Sequence, residues 1–112
     1  MMQYSIYRVN LDPTIGHEIK KTRPCVIISP DEMNASLATV IVAPMTSTAR
    51  TIPTRVKICA TPENGLTNDS YVVLDQIKTI DKRRLTGKAI GRLTENEAAE
   101  VSDTICQMFA KL

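Results

Sequence analysis

Arg23 stands directly before Pro24, and a proline holds the residue before it in an extended backbone. The apolar run Cys25-Val26-Ile27-Ile28 follows, so the arginine is expected at the entrance of a strand, held at a rim. A guanidinium placed there can give two parallel hydrogen bonds to phosphoryl oxygens and keeps its charge at any working pH. That combination suits a phosphorane-like transition state; a plain surface ion pair is the competing reading. Thr46 and Ser47 offer hydroxyls just after Pro44-Met45, at another strand end, where hydroxyls more commonly close turns than bind ligands. Asp75 and Gln76 interrupt Val72-Val73-Leu74 and Ile77, and a charge in that setting needs a partner or a purpose. A structural ion pair, an interface contact and catalysis all satisfy that need. His17, the one histidine, lies in the polar loop segment Gly16-His17-Glu18, where it is either merely solvated or available to move a proton near neutrality.

Metal chemistry finds little to work with. One histidine and three scattered cysteines, Cys25, Cys59 and Cys106, make no zinc set, and Asp12, Asp31, Asp69, Asp75 and Asp81 show no local magnesium motif. No metal and no cofactor is expected. The cysteines, odd in number and set among apolar neighbours, read as small buried hydrophobes in a reducing compartment.

The elements that must position these groups are mostly strands. Tyr4–Val9 alternates and ends at the turn-forming Asn10-Leu11-Asp12-Pro13. Cys25–Ile28, Thr39–Met45, Pro53–Ile58 and Ser70–Ile77 follow, the last behind an Asn64-Gly65 turn signal. Asp81–Leu85 reads as one helical turn and Lys88–Leu93 as a last short strand. Thr94 with Glu97 forms a capping box, and Ala98, Val101, Ile105, Met108 and Leu112 recur at helical spacing. The expectation is a mainly β fold, a small barrel or sandwich, ending in an amphipathic helix.

With 112 residues the chain has room for one core, so residues 1–112 are read as a single domain. Apolar residues at 43% and charged residues at 23% put it among folded globular proteins. It has neither an apolar run long enough to span a membrane nor the start of a signal peptide, so a cytoplasmic location is expected. A net charge of +2 decides nothing by itself. Its distribution says more: Lys78, Lys82, Arg83, Arg84, Lys88 and Arg92 form a basic stretch, and Lys20, Lys21 and Arg23 form a second, a pattern that favours a polyanionic partner.

Leu11-Asp12-Pro13, Gly16-His17-Glu18, Thr22-Arg23-Pro24, Pro44-Met45-Thr46-Ser47, Pro53-Thr54 and Leu74-Asp75-Gln76-Ile77-Lys78-Thr79-Ile80-Asp81 come in an order and spacing that closely resemble the MazF/PemK family of toxin endoribonucleases. The likeness covers roughly residues 4 to 108. It implies an SH3-like barrel of the CcdB/PemK/MazF kind with a C-terminal helix, a homodimer, and metal-independent cleavage of single-stranded RNA to 2′,3′-cyclic phosphate and 5′-hydroxyl ends. It also implies a cognate acidic antitoxin, through which alone DNA would be met. By the family pattern Arg23 and Thr46 are the first catalytic candidates, with Asp75 and His17 matching positions proposed as base and acid in some relatives. Lys20, Lys21, Ser47, Gln76 and Lys78 are the expected RNA contacts, and segments 14–22 and 48–52 the expected readers of bases.

Two departures stand out. Some relatives carry arginine two residues before the aspartate, where this chain has Val73, and Lys78 replaces an arginine common after Asp-Gln-Ile. The alternative is a non-catalytic CcdB-like toxin that binds DNA gyrase; those proteins generally lack the Arg-Pro and Pro-Met-Thr-Ser pair. A general RNA-binding module is weaker still, because Tyr4, Tyr7, Tyr71 and Phe109 are few for a stacking platform.

Overall fold

The runs Cys25–Ile28 and Thr39–Met45 are apolar without alternation because the strands they form are covered on both faces. The computed structural model describes residues 1–110. In it β1 (Ser5–Asn10), β2 (Thr22–Ile27) and β3 (Thr39–Thr46) lie side by side, antiparallel, with Tyr7 opposite Cys25 and Val26 opposite Ala43. β4 (Arg55–Ile58), β5 (Ser70–Val73), β6 (Lys78–Asp81) and β7 (Leu85–Arg92) complete a seven-stranded sheet in the order β4-β5-β3-β2-β1-β7, with β6 also paired to β3. Two α-helices, α1 (Asp31–Ser36) and α2 (Glu95–Phe109), and two 3-10 turns, Leu74–Gln76 and Lys82–Arg84, complete the described elements.

Odd and even residues of the central strands feed two separate apolar clusters, as the two-residue period of a strand requires. Ile6, Val26, Ala43 and Met45 join Val56, Ile58, Val72, Leu93 and Val101 on one side. That cluster draws on both ends of the strand path, so the sheet curls around it in barrel fashion. Val9, Cys25, Ile27, Val40 and Val42 face the other way and pack with Leu11 and Ile80. At Asn64-Gly65 the turn lies against β7: Gly65 has φ +70, and a side chain on it would strike the Ile90 carbonyl.

The mainly β fold with a C-terminal helix is the expected one. The capping box is present, with Thr94 Oγ1 accepting from the Glu97 N–H and the Glu97 carboxylate accepting from the Thr94 N–H. Other expectations change. The run Ser70–Ile77 is not one strand: β5 stops at Val73, residues Leu74–Gln76 form a 3-10 turn, and β6 begins at Lys78. β3 explains the break, since Met45 and Thr46 pair with β5 while Thr39–Val42 pair with β6, and the chain must turn between them. Asp75 and Gln76 therefore sit on a turn and not within a strand. Only Cys25 is buried. Cys59 falls on the outward side after Ile58, and Cys106 lies on the exposed side of α2. The helix ends at Phe109, and Leu112, read as its last apolar position, lies outside the described residues.

Candidate functional site

The second cluster is roofed by the loop between β1 and β2, and the cleft at its edge has a volume of about 420 Å³. His17, Glu18 and Ile19 of that loop, Pro44 of β3, and Asp75, Gln76 and Lys78 from the 3-10 turn and β6 line it. Four of the residues singled out from sequence, His17, Asp75, Gln76 and Lys78, thus meet in one place. Arg23 and Ser47 line a smaller cleft of about 140 Å³, together with Arg8, Met45 and the segment around Gly65–Asn68.

The two clefts lie near one another. β2 pairs with β3 up to Cys25 opposite Pro44, and Arg23 and Thr46 each lie two residues beyond that last pair, at the same end of the two strands. Burial pushes the Cys25 thiol up to about 12 against the pull of Lys78 and then of Arg23, so both cations stand close enough to act on this buried sulfur. Cys25 is thereby kept a neutral thiol. Arg23 is half-buried and donates from Nε to the Lys20 carbonyl at 3.1 Å, an anchorage that leaves its two terminal nitrogens to meet a ligand. Thr46 is only 8% exposed, and its Oγ1 accepts from the Thr48 N–H at 3.2 Å, so its hydroxyl proton remains to be donated. Ser47 is exposed at the cleft edge, and Lys20 and Lys21 are exposed on the loop without lining either cleft.

Asp75 is held from three directions. Its carboxylate accepts from Thr54 Oγ1 at 2.9 Å and from Arg55 Nε and Nη2 at 3.2 and 3.3 Å. Burial pushes its pKa up, but the hydrogen bonds from Arg55 and Thr54 outweigh it and hold the carboxyl below its ordinary value. The group is a fixed anion with most of its lone pairs engaged. Gln76 is also committed: its Oε1 accepts from the backbone N–H of Ile19 at 2.8 Å.

The basic stretch disperses. Lys82 Nζ donates to the Asn34 carbonyl, Arg83 pairs with Asp81, and Arg84 Nη1 donates to the carbonyls of Asn10 and Asp12. Lys82 and Arg84 thus brace the frame, and Lys78 is the one member of the run that lines the 420 Å³ cleft. Among the described residues no three His, Cys, Asp or Glu side chains gather as a metal site would need.

The family model of the PemK-like, MazF-like toxin of type II toxin-antitoxin systems matches residues 2–109. The chain belongs to this family. Endoribonuclease EndoA of Bacillus subtilis (strain 168) is 40% identical over 85 residues, which are 74% of this chain and 72% of that protein. Endoribonuclease MazF of Staphylococcus saprophyticus is 37% identical over 107 residues, 94% of this chain and 88% of that one. A solved endoribonuclease in complex with its cognate antitoxin, from a mycobacterial species, superposes with a TM-score of 0.79 at 26% identity, covering 100% of this chain and 99% of that chain.

For a MazF-like toxin, the departure at Val73 gains a structural counterpart. Arg55 is the direct cross-strand partner of Val73, and its guanidinium, 8% exposed, reaches Asp75. Sequence reading missed it because Thr54-Arg55-Val56-Lys57-Ile58 alternates like an ordinary half-exposed strand; the only signal was an unpaired Asp75 awaiting a cation. Arg8 was missed for the same reason, lying in the alternation of β1.

Proposed function

We propose that the chain is a toxin endoribonuclease that cuts single-stranded RNA without a metal, and that an antitoxin restrains it. The family match over residues 2–109 carries this reading. RNA supplies its own nucleophile: the 2′-oxygen attacks the adjacent phosphorus, the bond to the 5′-oxygen breaks, and a 2′,3′-cyclic phosphate and a 5′-hydroxyl remain. The protein must take the 2′ proton, give one to the leaving oxygen and offset charge on the phosphoryl oxygens.

Arg23 serves the third task, with its Nε anchored and its remaining donors turned to phosphate. Thr46 donates its hydroxyl to a phosphoryl oxygen, and Ser47 and Lys78 hold the flanking backbone, with Lys20 and Lys21 drawing it in. Asp75, ionised and ringed by donors, has no proton to give and is a poor acceptor, so His17 is the better candidate for proton transfer. The gyrase-binding alternative is not favoured.

Incubating pure protein with a short RNA in EDTA tests the reading. Cleavage with cyclic phosphate ends is expected; an intact RNA would overturn it. The active form is proposed to be a homodimer, checked by light scattering at micromolar concentration, where a fully active monomer would refute it. The antitoxin is proposed to be an acidic segment laid across Lys20, Lys21 and Arg23. Its affinity should fall as salt rises.

A further inference from the structure

Between Pro13 and Lys20 the β1–β2 loop is tied almost wholly to itself. Its tip closes on itself, with Ile15 N–H donating to the Glu18 carboxylate and Glu18 N–H to the Ile15 carbonyl. Its base is pinned by Leu11 N–H to the Lys21 carbonyl and by Lys21 N–H to the Asp12 carboxylate, which hold Lys21 at φ +70, a conformation that costs a non-glycine residue energy. Arg23 Nε to the Lys20 carbonyl is likewise a bond within the hairpin. Among the described residues, one hydrogen bond links this stretch to the protein outside the β1–β2 hairpin: Ile19 N–H to Gln76 Oε1, across 57 positions of sequence. Ile19 also lays its side chain against the second apolar cluster.

We infer that Gln76 is a positioning residue, a latch that holds the loop bearing His17 over the cleft by accepting from Ile19, rather than a residue that reads RNA through its own amide. The inference rests on the endoribonuclease reading only for its kinetic consequence. The amide oxygen is the working atom. Glutamate keeps an acceptor in that place and loses the two N–H donors, while leucine loses both, so the pair Gln76→Glu and Gln76→Leu separates latching from RNA recognition.

Loss of one such hydrogen bond corresponds to a roughly fivefold shift in an opening equilibrium. Hydrogen exchange at the Ile19 amide should therefore quicken about fivefold in Gln76→Leu and stay unchanged in Gln76→Glu. The amide of buried Val26 reports whole-protein opening alongside it. Single-turnover cleavage at saturating RNA should fall in Gln76→Leu only by the lost closed fraction, less than about twofold while the closed loop predominates. In Gln76→Glu the saturating rate should hold and only KM should rise, from the added negative charge.

Unaltered Ile19 protection relative to Val26 in Gln76→Leu would overturn the latch. So would equal loss of saturating rate in both variants with Ile19 protected in each, which would make Gln76 an RNA contact. If the unmodified protein left RNA intact, the endoribonuclease reading would fall, and the exchange at Ile19 would still decide the latch.

Discussion

On one side of the central strands a 15-residue helix with a capping box closes the apolar cluster; on the other a loop does, held from outside by Ile19 N–H on Gln76 Oε1 and, at its base, by Arg84 Nη1 on the Asp12 carbonyl. Both clusters contain fully buried aliphatic side chains. They differ in their covers: His17, Asp75, Gln76 and Lys78 gather at the weaker one, while Arg23 and Ser47 line the cleft beside Met45 and Leu66 of the other. A helix secured at its N-terminus resists local opening, whereas a loop that makes few contacts opens at small cost. The division leaves the loop-covered side free to open without loosening the helix-covered one.

The largest test of that division is Arg23→Lys. Lysine keeps a positive charge at the entrance of β2 but loses the paired donors. If the guanidinium meets charge that develops in the transition state, turnover should fall about 10²- to 10³-fold, roughly 3 to 4 kcal/mol. The melting temperature should barely move, because a half-exposed side chain outside both clusters contributes little to them. Single-turnover cleavage read beside RNA affinity and melting checks it; a rate within about threefold of the unmodified protein, only ~0.6 kcal/mol, would remove Arg23 from the role.

A matched pair of deletions compares the clusters directly. Ile58 and Ile27 are both fully buried, one in each cluster. Replacing either with valine should cost about 1 kcal/mol of stability. Ile27→Val should also lower cleavage severalfold, since Ile27 lies in the strand that presents Arg23 and shares its cluster with Cys25 and Leu11. Ile58→Val should leave the rate per folded molecule unchanged. Equal losses of activity would mean that the two sides are mechanically one.

The Asp75–Arg55 pair gives a smaller effect with a definite pH dependence. The folded carboxyl titrates below its ordinary value of 3.8. Its contribution to stability is therefore complete above that value and is lost as pH falls through the folded one. With Asp75 35% exposed, solvent screening limits it to about 1 kcal/mol. Arg55→Met should be less stable than the unmodified protein at pH 7, and the electrostatic part of that gap should shrink below about pH 4. Urea midpoints at the two pH values measure it; a gap that stays constant would mean that Arg55 works through packing alone.

What could be read from the chain beforehand follows from how local each signal is. The capping box Thr94-Glu97, the alternation of β1 and the turn at Asn64-Gly65 are local, and each appears where expected. The break between β5 and β6 was hidden because it depends on β3 changing partners between Val42 and Met45, a property of three strands together. The candidate site shows the same limit. Residue types and order drew attention to Asp75 and Gln76, but their partners, Arg55 and the Ile19 N–H, lie 20 and 57 positions away. Cys59 and Cys106 show that an apolar neighbourhood in sequence does not settle which way one small side chain faces.

The smallest expected effect separates charges that face the cleft from charges that brace the frame. Arg83 is 90% exposed and paired with Asp81 in solvent, where such pairs add little stability. Lys78 lines the cleft beside His17 and Gln76 and acts on the buried Cys25. Each phosphate a cation neutralises on single-stranded RNA adds about 0.7 to the slope of log affinity against log salt. Lys78→Gln should therefore flatten that slope by roughly this amount, and Arg83→Gln should leave both slope and melting temperature where they were. Binding to an RNA with a 2′-deoxy substitution at the cut site, which removes the attacking hydroxyl, permits the measurement at equilibrium. A flattened slope for Arg83→Gln would extend the RNA path to the turn after β6. The same slope for both variants and the unmodified protein would place the path away from the 420 Å³ cleft altogether.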